Sequence, residues 1–203
     1  MARYCIYIDG FNVYYALQEL SYQKYKWVNY RKLAESVIGK NDQITGVFYF
    51  TAIVRWKPDN ARRHKIYMRA LRWAGVDTIQ GRFQDKHVRC HKCNQIYKTH
   101  EEKRTDVNIA LKVLCDAIDE LYDKALIVSA DSDLLPAIHA VRKYAPEKRI
   151  GVMFPIGRTN NDLGMEADFR IKMSQRLLSA CQFPEQIKIG STIIKRPDDW
   201  PSV

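Results

Sequence analysis

Short apolar strand-like runs alternate along this chain with stretches of helical periodicity. The strand-like runs stand at about residues 4–8 and in ITGVFYFTAIV, VDTIQGRF, KALIVSA and RIGVMF. Helix-period segments lie near 11–20, in NYRKLAESVIG, KPDNARRHKIYMRALRWAG, TDVNIALKVLCDAIDEL and DLLPAIHAVRKYA, and near 161–179. Asn29 is placed to cap one helix and Gly39 to close it; Pro58 and Gly75 open and close another. Such alternation implies right-handed crossovers and a parallel sheet covered on both faces. The expected fold class is therefore α/β, a Rossmann-like three-layer sandwich around a mostly parallel sheet of about five strands. At 203 residues one domain is expected over 1–180, with a polar insertion at about 84–104 and a C-terminal extension over 181–203.

Open parallel sheets bind ligands beyond the carboxyl ends of their strands. This chain puts acids there. Asp9 ends the first strand in YIDGFN, Asp106 opens the helix TDVNIALKVL, and Asp131 and Asp133 follow the strand in ALIVSADSDLLPAI. Taken singly, each has an ordinary role: Asp9 in an Asp-Gly turn, Thr105 as a cap beside Asp106, Asp131 and Asp133 as helix-start acids. Together they are acids from three segments at one edge, and like charges so placed repel unless something positive joins them. Oxygen-only ligand sets suit Mg²⁺ or Mn²⁺. Two such ions about 4 Å apart would hold a phosphodiester and activate water. Asp116 on the same helix as Asp106 lies about 15 Å further along the axis and is expected to be solvated.

Lys and Arg outnumber Asp and Glu by 33 to 23, for a formal charge of +10. That balance suits a polyanionic partner, nucleic acid first. Arg62, Lys65, Arg69 and Arg72 recur at helical spacing opposite Ile66, Ala70 and Trp73, which are expected to face the core. The basic stripe is either plain solvated surface or a track for an RNA backbone. Lys103 and Arg104, just before Asp106, and Arg158 in IGRTNN are further phosphate-binding candidates. No apolar run approaches the length that spans a bilayer, and the N-terminal run lacks a signal peptide's pattern, so no membrane and a cytoplasmic location are expected.

The five cysteines form no even framework. Cys5, Cys115 and Cys181 sit among apolar residues and are expected to be reduced core thiols. Cys90 and Cys93 differ, standing at CxxC spacing in HVRCHKCNQIYKTH beside His87, His91 and His100. With His100 as third ligand they would make part of a Zn²⁺ knuckle; the alternatives are a hairpin with free thiols and a redox switch.

The segments YIDGFN, EEKRTDVNIALKVLCDA and ALIVSADSDLLPAI, in that order and spacing, resemble the NYN domains, relatives of PIN-type ribonucleases, and among them the LabA-like branch. The resemblance covers roughly residues 3–180. It implies a PIN-like sandwich, metal-dependent RNA hydrolysis, and Asp9, Asp106, Asp131 and Asp133 as the catalytic acids. Asn12 matches the asparagine of the first motif and Ser129 the serine before the acidic pair, where its hydroxyl would orient a carboxylate or a metal-bound water. Ala130 stands where a glycine is more usual.

The leading expectation is thus an endoribonuclease using Mg²⁺ or Mn²⁺ on single-stranded or structured RNA. Its rivals are a regulatory RNA- or protein-binding module without turnover, and a phosphatase or nucleotide hydrolase. The last needs a nucleophilic Asp in a DxD pattern that DGFN lacks. A homodimer or a protein partner is left open by the sequence.

Overall fold

In the computed structural model, which describes residues 1–18 and 20–203, six strands form one parallel sheet in the order β3–β2–β1–β6–β7–β8. These are β1 (Arg3–Asp9), β2 (Gln43–Thr51), β3 (Asp77–Gln80), β6 (Lys124–Val128), β7 (Arg149–Phe154) and β8 (Phe169–Lys172). The helices are α1 (Gly10–Gln18), α2 (Tyr30–Val37), α3 (Pro58–Trp73), α4 (Thr105–Ile118), α5 (Leu135–Tyr144), α6 (Asn161–Glu166) and α7 (Gln175–Ala180). Two antiparallel hairpins stand apart from the sheet: β4 (Arg82–Arg89) with β5 (Ile96–Lys103), and β9 (Gln186–Ile189) with β10 (Thr192–Lys195).

The period of two along β1 divides its side chains between two cores. Ile6 and Ile8 join α1, α2, α3 and α7 on one face. Cys5 and Tyr7 join α4, α5 and α6 on the other. Strand β1 is flanked by β2 and β6, and from it the chain winds outward in both directions. The carboxyl end of β1 is therefore the switch point, where a crevice must open between the diverging crossovers.

Several expectations need correction. The segment 161–179 is not one helix but α6, the edge strand β8 and α7, which raises the parallel strands to six. Helix α6 closes before Phe169–Lys172, whose alternating pattern suits an edge strand. The polar stretch near 84–104 is the β4–β5 hairpin, and the C-terminal extension contains the β9–β10 hairpin. Trp73 and Cys115 are exposed, because each lies two residues beyond a buried one (Leu71 and Val113), which is about 200° around the helix. Cys5 and Cys181 are buried as expected. Among the described residues no helix is long and apolar enough to cross a membrane.

Asp116 reverses its expectation most plainly. It is buried, accepting a hydrogen bond from the Tyr7 hydroxyl at 2.8 Å and one from Lys112 Nζ at 2.6 Å. The turn of α4 that carries it faces β1, where Tyr7 points into the same core. The buried hydroxyl and the lysine one turn back together make the carboxylate tolerable there. Tyr7→Phe leaves one oxygen of a buried carboxylate without its donor and should lower unfolding free energy by about 1–3 kcal/mol. A shifted urea midpoint at unchanged m-value checks it.

Candidate metal centre

Asp9 is the last residue of β1 and is buried. Its Oδ1 accepts the Asn12 backbone N–H at 3.0 Å, and its Oδ2 accepts the Ser129 hydroxyl at 2.9 Å. Ser129 Oγ in turn accepts the Asp131 N–H at 3.1 Å, so one buried hydroxyl joins the two acidic segments. Asn12 ties them a second time, its side-chain oxygen accepting the Ala130 N–H at 3.0 Å. From the far side Asn160, which caps α6, donates to the Ala130 carbonyl at 3.2 Å.

Gly10 lets the turn pass close to β2. A Cβ there would lie 2.5 Å from the Phe50 carbonyl oxygen and 2.6 Å from the Tyr49 ring.

Asp106 arrives on the first turn of α4. The residue before that helix is not the expected Thr105 cap but Arg104, held at φ +83° with no side-chain cap. A left-handed non-glycine residue costs of order 1–3 kcal/mol and has to be held by its surroundings. Here Glu102 does the capping: it accepts the Thr105 N–H at 3.3 Å and the Thr105 hydroxyl. Sequence reasoning passed over Glu102, although its place three residues before Thr105 is a capping spacing.

One carboxylate oxygen from each of Asp9, Asp106 and Asp131 lies within 4.8 Å of the others. Asp131 also caps the short 3₁₀ turn Ser132–Leu134 through the Asp133 N–H at 3.0 Å, so its helix-start role and its place in the trio coexist. Asp133 is exposed and outside the trio, but its charge helps raise Asp106. Burial first, then the charges of Asp106 and Asp131, push the Asp9 carboxyl up to about 6 against the pull of its two donors. Asp106 is raised by burial, then by Asp131, Glu102 and Asp133. Hard oxygen donors that converge and hinder one another's ionisation fit a divalent cation of the Mg²⁺ or Mn²⁺ kind.

The other candidates are scattered around this centre. Lys103 Nζ is paired with Glu101 at 2.8 Å, and Arg104 is exposed beside Thr105. Arg158 sits in the turn after β7, its N–H bonded to the Pro155 carbonyl at 3.0 Å. Arg62, Lys65, Arg69 and Arg72 are exposed on α3, and the first two border a shallow groove with Ile53 and Arg55. Cys90 and Cys93 form the tip of the β4–β5 hairpin, where backbone N–H groups of Cys93 and Lys92 hold the Cys90 thiol below its ordinary value. His100 pairs in register with Asp85, roughly 14 Å down the strand from the Arg89–Ile96 pair. Among the described residues the acid trio is the one group of three or more metal-binding side chains whose donors meet. The expected Cys90, Cys93 and His100 set is therefore not assembled within the chain.

A cavity of about 620 Å³ was missed altogether. It lies between α1 and α3, with Gly10 and Thr51 in its wall and Phe11, Trp56 and Phe83 among its aromatic lining. Its aromatic residues come from distant segments without a shared spacing, so no local pattern announced it.

The NYN domain family model matches residues 3–174. The chain is 30% identical over 236 residues to the 6-hydroxy-3-succinoylpyridine 3-monooxygenase HspA of Pseudomonas putida, covering 96% of this chain and 74% of that protein. The crystal structure of a Vibrio parahaemolyticus protein of unknown function superposes with a TM-score of 0.61 at 18% identity, over 86% of this chain and 94% of that one. That likeness concerns the fold alone.

An acid with a raised folded-state pKa stabilises the fold below its unfolded value and loses that contribution as pH rises through the folded value. For Asp9 the loss runs between about pH 4 and 6. Asp9→Asn should therefore stabilise the metal-free protein at neutral pH by roughly 1–3 kcal/mol, with the gain vanishing below about pH 4. Melting curves of both proteins in chelator across this range measure it.

Proposed function

We propose, for a chain that belongs to the NYN domain family, that it is a ribonuclease dependent on Mg²⁺ or Mn²⁺ which hydrolyses RNA phosphodiester bonds at the acid centre. The observation that carries this reading is the convergence of Asp9, Asp106 and Asp131 from three separate segments. These three would hold the ion, with Asp133 adding negative charge at the entrance. A bound divalent ion supplies Lewis-acid stabilisation of charge on the phosphodiester and makes water a better nucleophile. The chain's own part is positional. Ser129 and Asn12 fix Asp9 and the 129–131 segment relative to one another, so the carboxylates need not reorganise when charge develops. Lys103, Arg104, Arg158 and the α3 stripe are proposed to draw the RNA backbone toward the centre by their positive charge. Asn12 and Ser129, whose polar groups are engaged with the chain itself, are proposed as positioning residues and not as direct contacts to substrate.

A second reading follows from the Pseudomonas relative, named for monooxygenation of a hydroxypyridine. The aromatic cavity beside Asp9 favours it, since a planar heteroaromatic would fit there. It requires a reductant for dioxygen and would appear as oxygen uptake with a hydroxypyridine and a reduced nicotinamide, with RNA left uncut.

A mixed RNA pool incubated with Mn²⁺, Mg²⁺ or chelator separates the two readings; cleavage that stops in chelator supports the ribonuclease. Asp131→Asn keeps the cap on the 3₁₀ turn, because asparagine caps as well as aspartate. It should leave metal-free stability unchanged or slightly higher. RNA cleavage should fall by more than about 100-fold, since even outer-shell partners are worth roughly 10–100-fold. The Mn²⁺-induced rise in melting temperature, which reports binding to the folded state alone, should largely disappear. Full cleavage by this variant would remove Asp131 from the centre.

A further inference from the structure

The cavity between α1 and α3 is open to solvent at aromatic faces. Trp56 is 39% and Tyr15 56% exposed, large values for such side chains. The Trp56 ring stacks on His100 with centroids 3.5 Å apart and 19° between planes, and meets Phe83 edge-on at 4.8 Å. Phe83 also meets Phe11 of α1 edge-on at 5.7 Å. The base of the β4–β5 hairpin thereby meets α1 through an aromatic contact. Close-packed interiors leave few voids larger than a water molecule, so an open space of this size calls for an occupant.

Charge adds direction. Lys26, Lys57 and Arg63 line the cavity, and among the described residues of its walls Asp199 is the single acid. Arg63 is engaged with Asp199 and Asn60, and Lys26 with Gln18 at 3.0 Å. The helical stripe read from the sequence passed over Arg63, yet Arg63 is the α3 arginine that faces the cavity. His64 stands in the wall with a nitrogen 3.1 Å from the Thr51 hydroxyl, and burial keeps it neutral, down to about 4. A neutral imidazole offers a polar ring edge the hydrogen bond it needs without adding charge. The acid centre is close: Gly10 is in the cavity wall, Asp9 precedes it, and the charge of Asp9 is felt by the wall residues Tyr49 and Tyr30.

We infer that this cavity is a subsite for one unpaired base of an RNA strand, stacked against Trp56 while the adjoining phosphate lies at the acid centre. The inference rests on the ribonuclease reading for its choice of guest. A cationic, aromatic-lined recess beside a phosphate-directed centre suits a nucleotide, whose ring is planar and whose backbone is anionic. It makes single-stranded RNA the substrate class, because a base held in a duplex cannot turn into the recess.

The test reads binding without cleavage. Fluorescence anisotropy of a short labelled oligouridylate is measured in chelator at low salt with the full chain, beside a duplex RNA of the same length. Stacking is worth about 1–3 kcal/mol per base, so Trp56→Ala should weaken single-strand binding by roughly 5- to 150-fold and leave duplex binding unchanged, while Trp56→Phe retains most of it. Tyr15→Ala, exposed on α1 and apart from the hairpin, should weaken single-strand binding in the same sense and guards against a hairpin that loosens without Trp56. Single-strand binding that survives both alanine changes overturns the inference, as does an equal loss on duplex. Free uridine and 2-hydroxypyridine form the second arm. Saturable quenching by the pyridine that depends on Trp56, with RNA binding indifferent to it, assigns the cavity to a small molecule and overturns the inference as well. Failure of metal-dependent cleavage bears only on the ribonuclease reading, since these binding measurements contain no metal.

Discussion

A carboxylate buried at the centre of a parallel sheet is the constraint around which the rest is arranged. Asp9 cannot stay ionised there without donors, and it has two: the Asn12 N–H and the Ser129 hydroxyl. Both donors come from segments that have to be held in turn. Asn12 is secured by reaching the Ala130 N–H, and the 129–131 segment by Ser129 itself and by Asn160. The loops of β1, β6 and β7 at the switch point are thus one hydrogen-bonded unit. Even so, Asp9 is left with a carboxyl pushed up to about 6, because burial and two neighbouring acids outweigh the donors. Repulsion held at this level among converging oxygens suits a cation.

Much of the architecture was legible because it rests on period and punctuation. The apolar run ending in Asp9, the Asn29 cap and the Pro58–Gly75 bounds all express local rules, and they survive in the structure. The acids were legible for the same reason: each follows a strand or opens a helix. What failed was orientation at one-residue precision. Trp73 and Cys115 belong to apolar stretches but fall on the wrong side of their helices. Asp116 was judged from its distance to the site and not from what faced it, and Tyr7 on another element decides its burial. Edge strand β8 and the β9–β10 hairpin were hidden because four-residue strands carry little periodic signal, whereas a hairpin at Cys90 and Cys93 stood among the alternatives.

The β4–β5 hairpin has two ends with different neighbours. Its tip carries Cys90 and Cys93 into solvent, while its base supplies Phe83 and His100 to the aromatic cavity and Glu102 to the start of α4. Gly81 makes the base possible, since a Cβ there would lie 2.7 Å from Glu102 Oε1 and 2.8 Å from the Lys103 carbonyl. The hairpin thus connects the cavity wall to the helix that delivers Asp106. An antiparallel register ties these roles together, because Phe83 and Glu102 are paired and a slip of one residue by either strand would turn its member of the pair to the opposite face.

The separation of the acid segments along the chain also orders events during synthesis. Strand β1 is made first but lies between β2 and β6, and Ser129, the partner of Asp9, is 120 residues downstream. At roughly 5–20 residues per second, the ribosome takes many seconds to deliver it. Through that interval a nascent chain carries Asp9 and then Asp106 without Asp131 or the Ser129 hydroxyl that holds Asp9. The centre can close only when the β6 segment has left the exit tunnel and paired with β1.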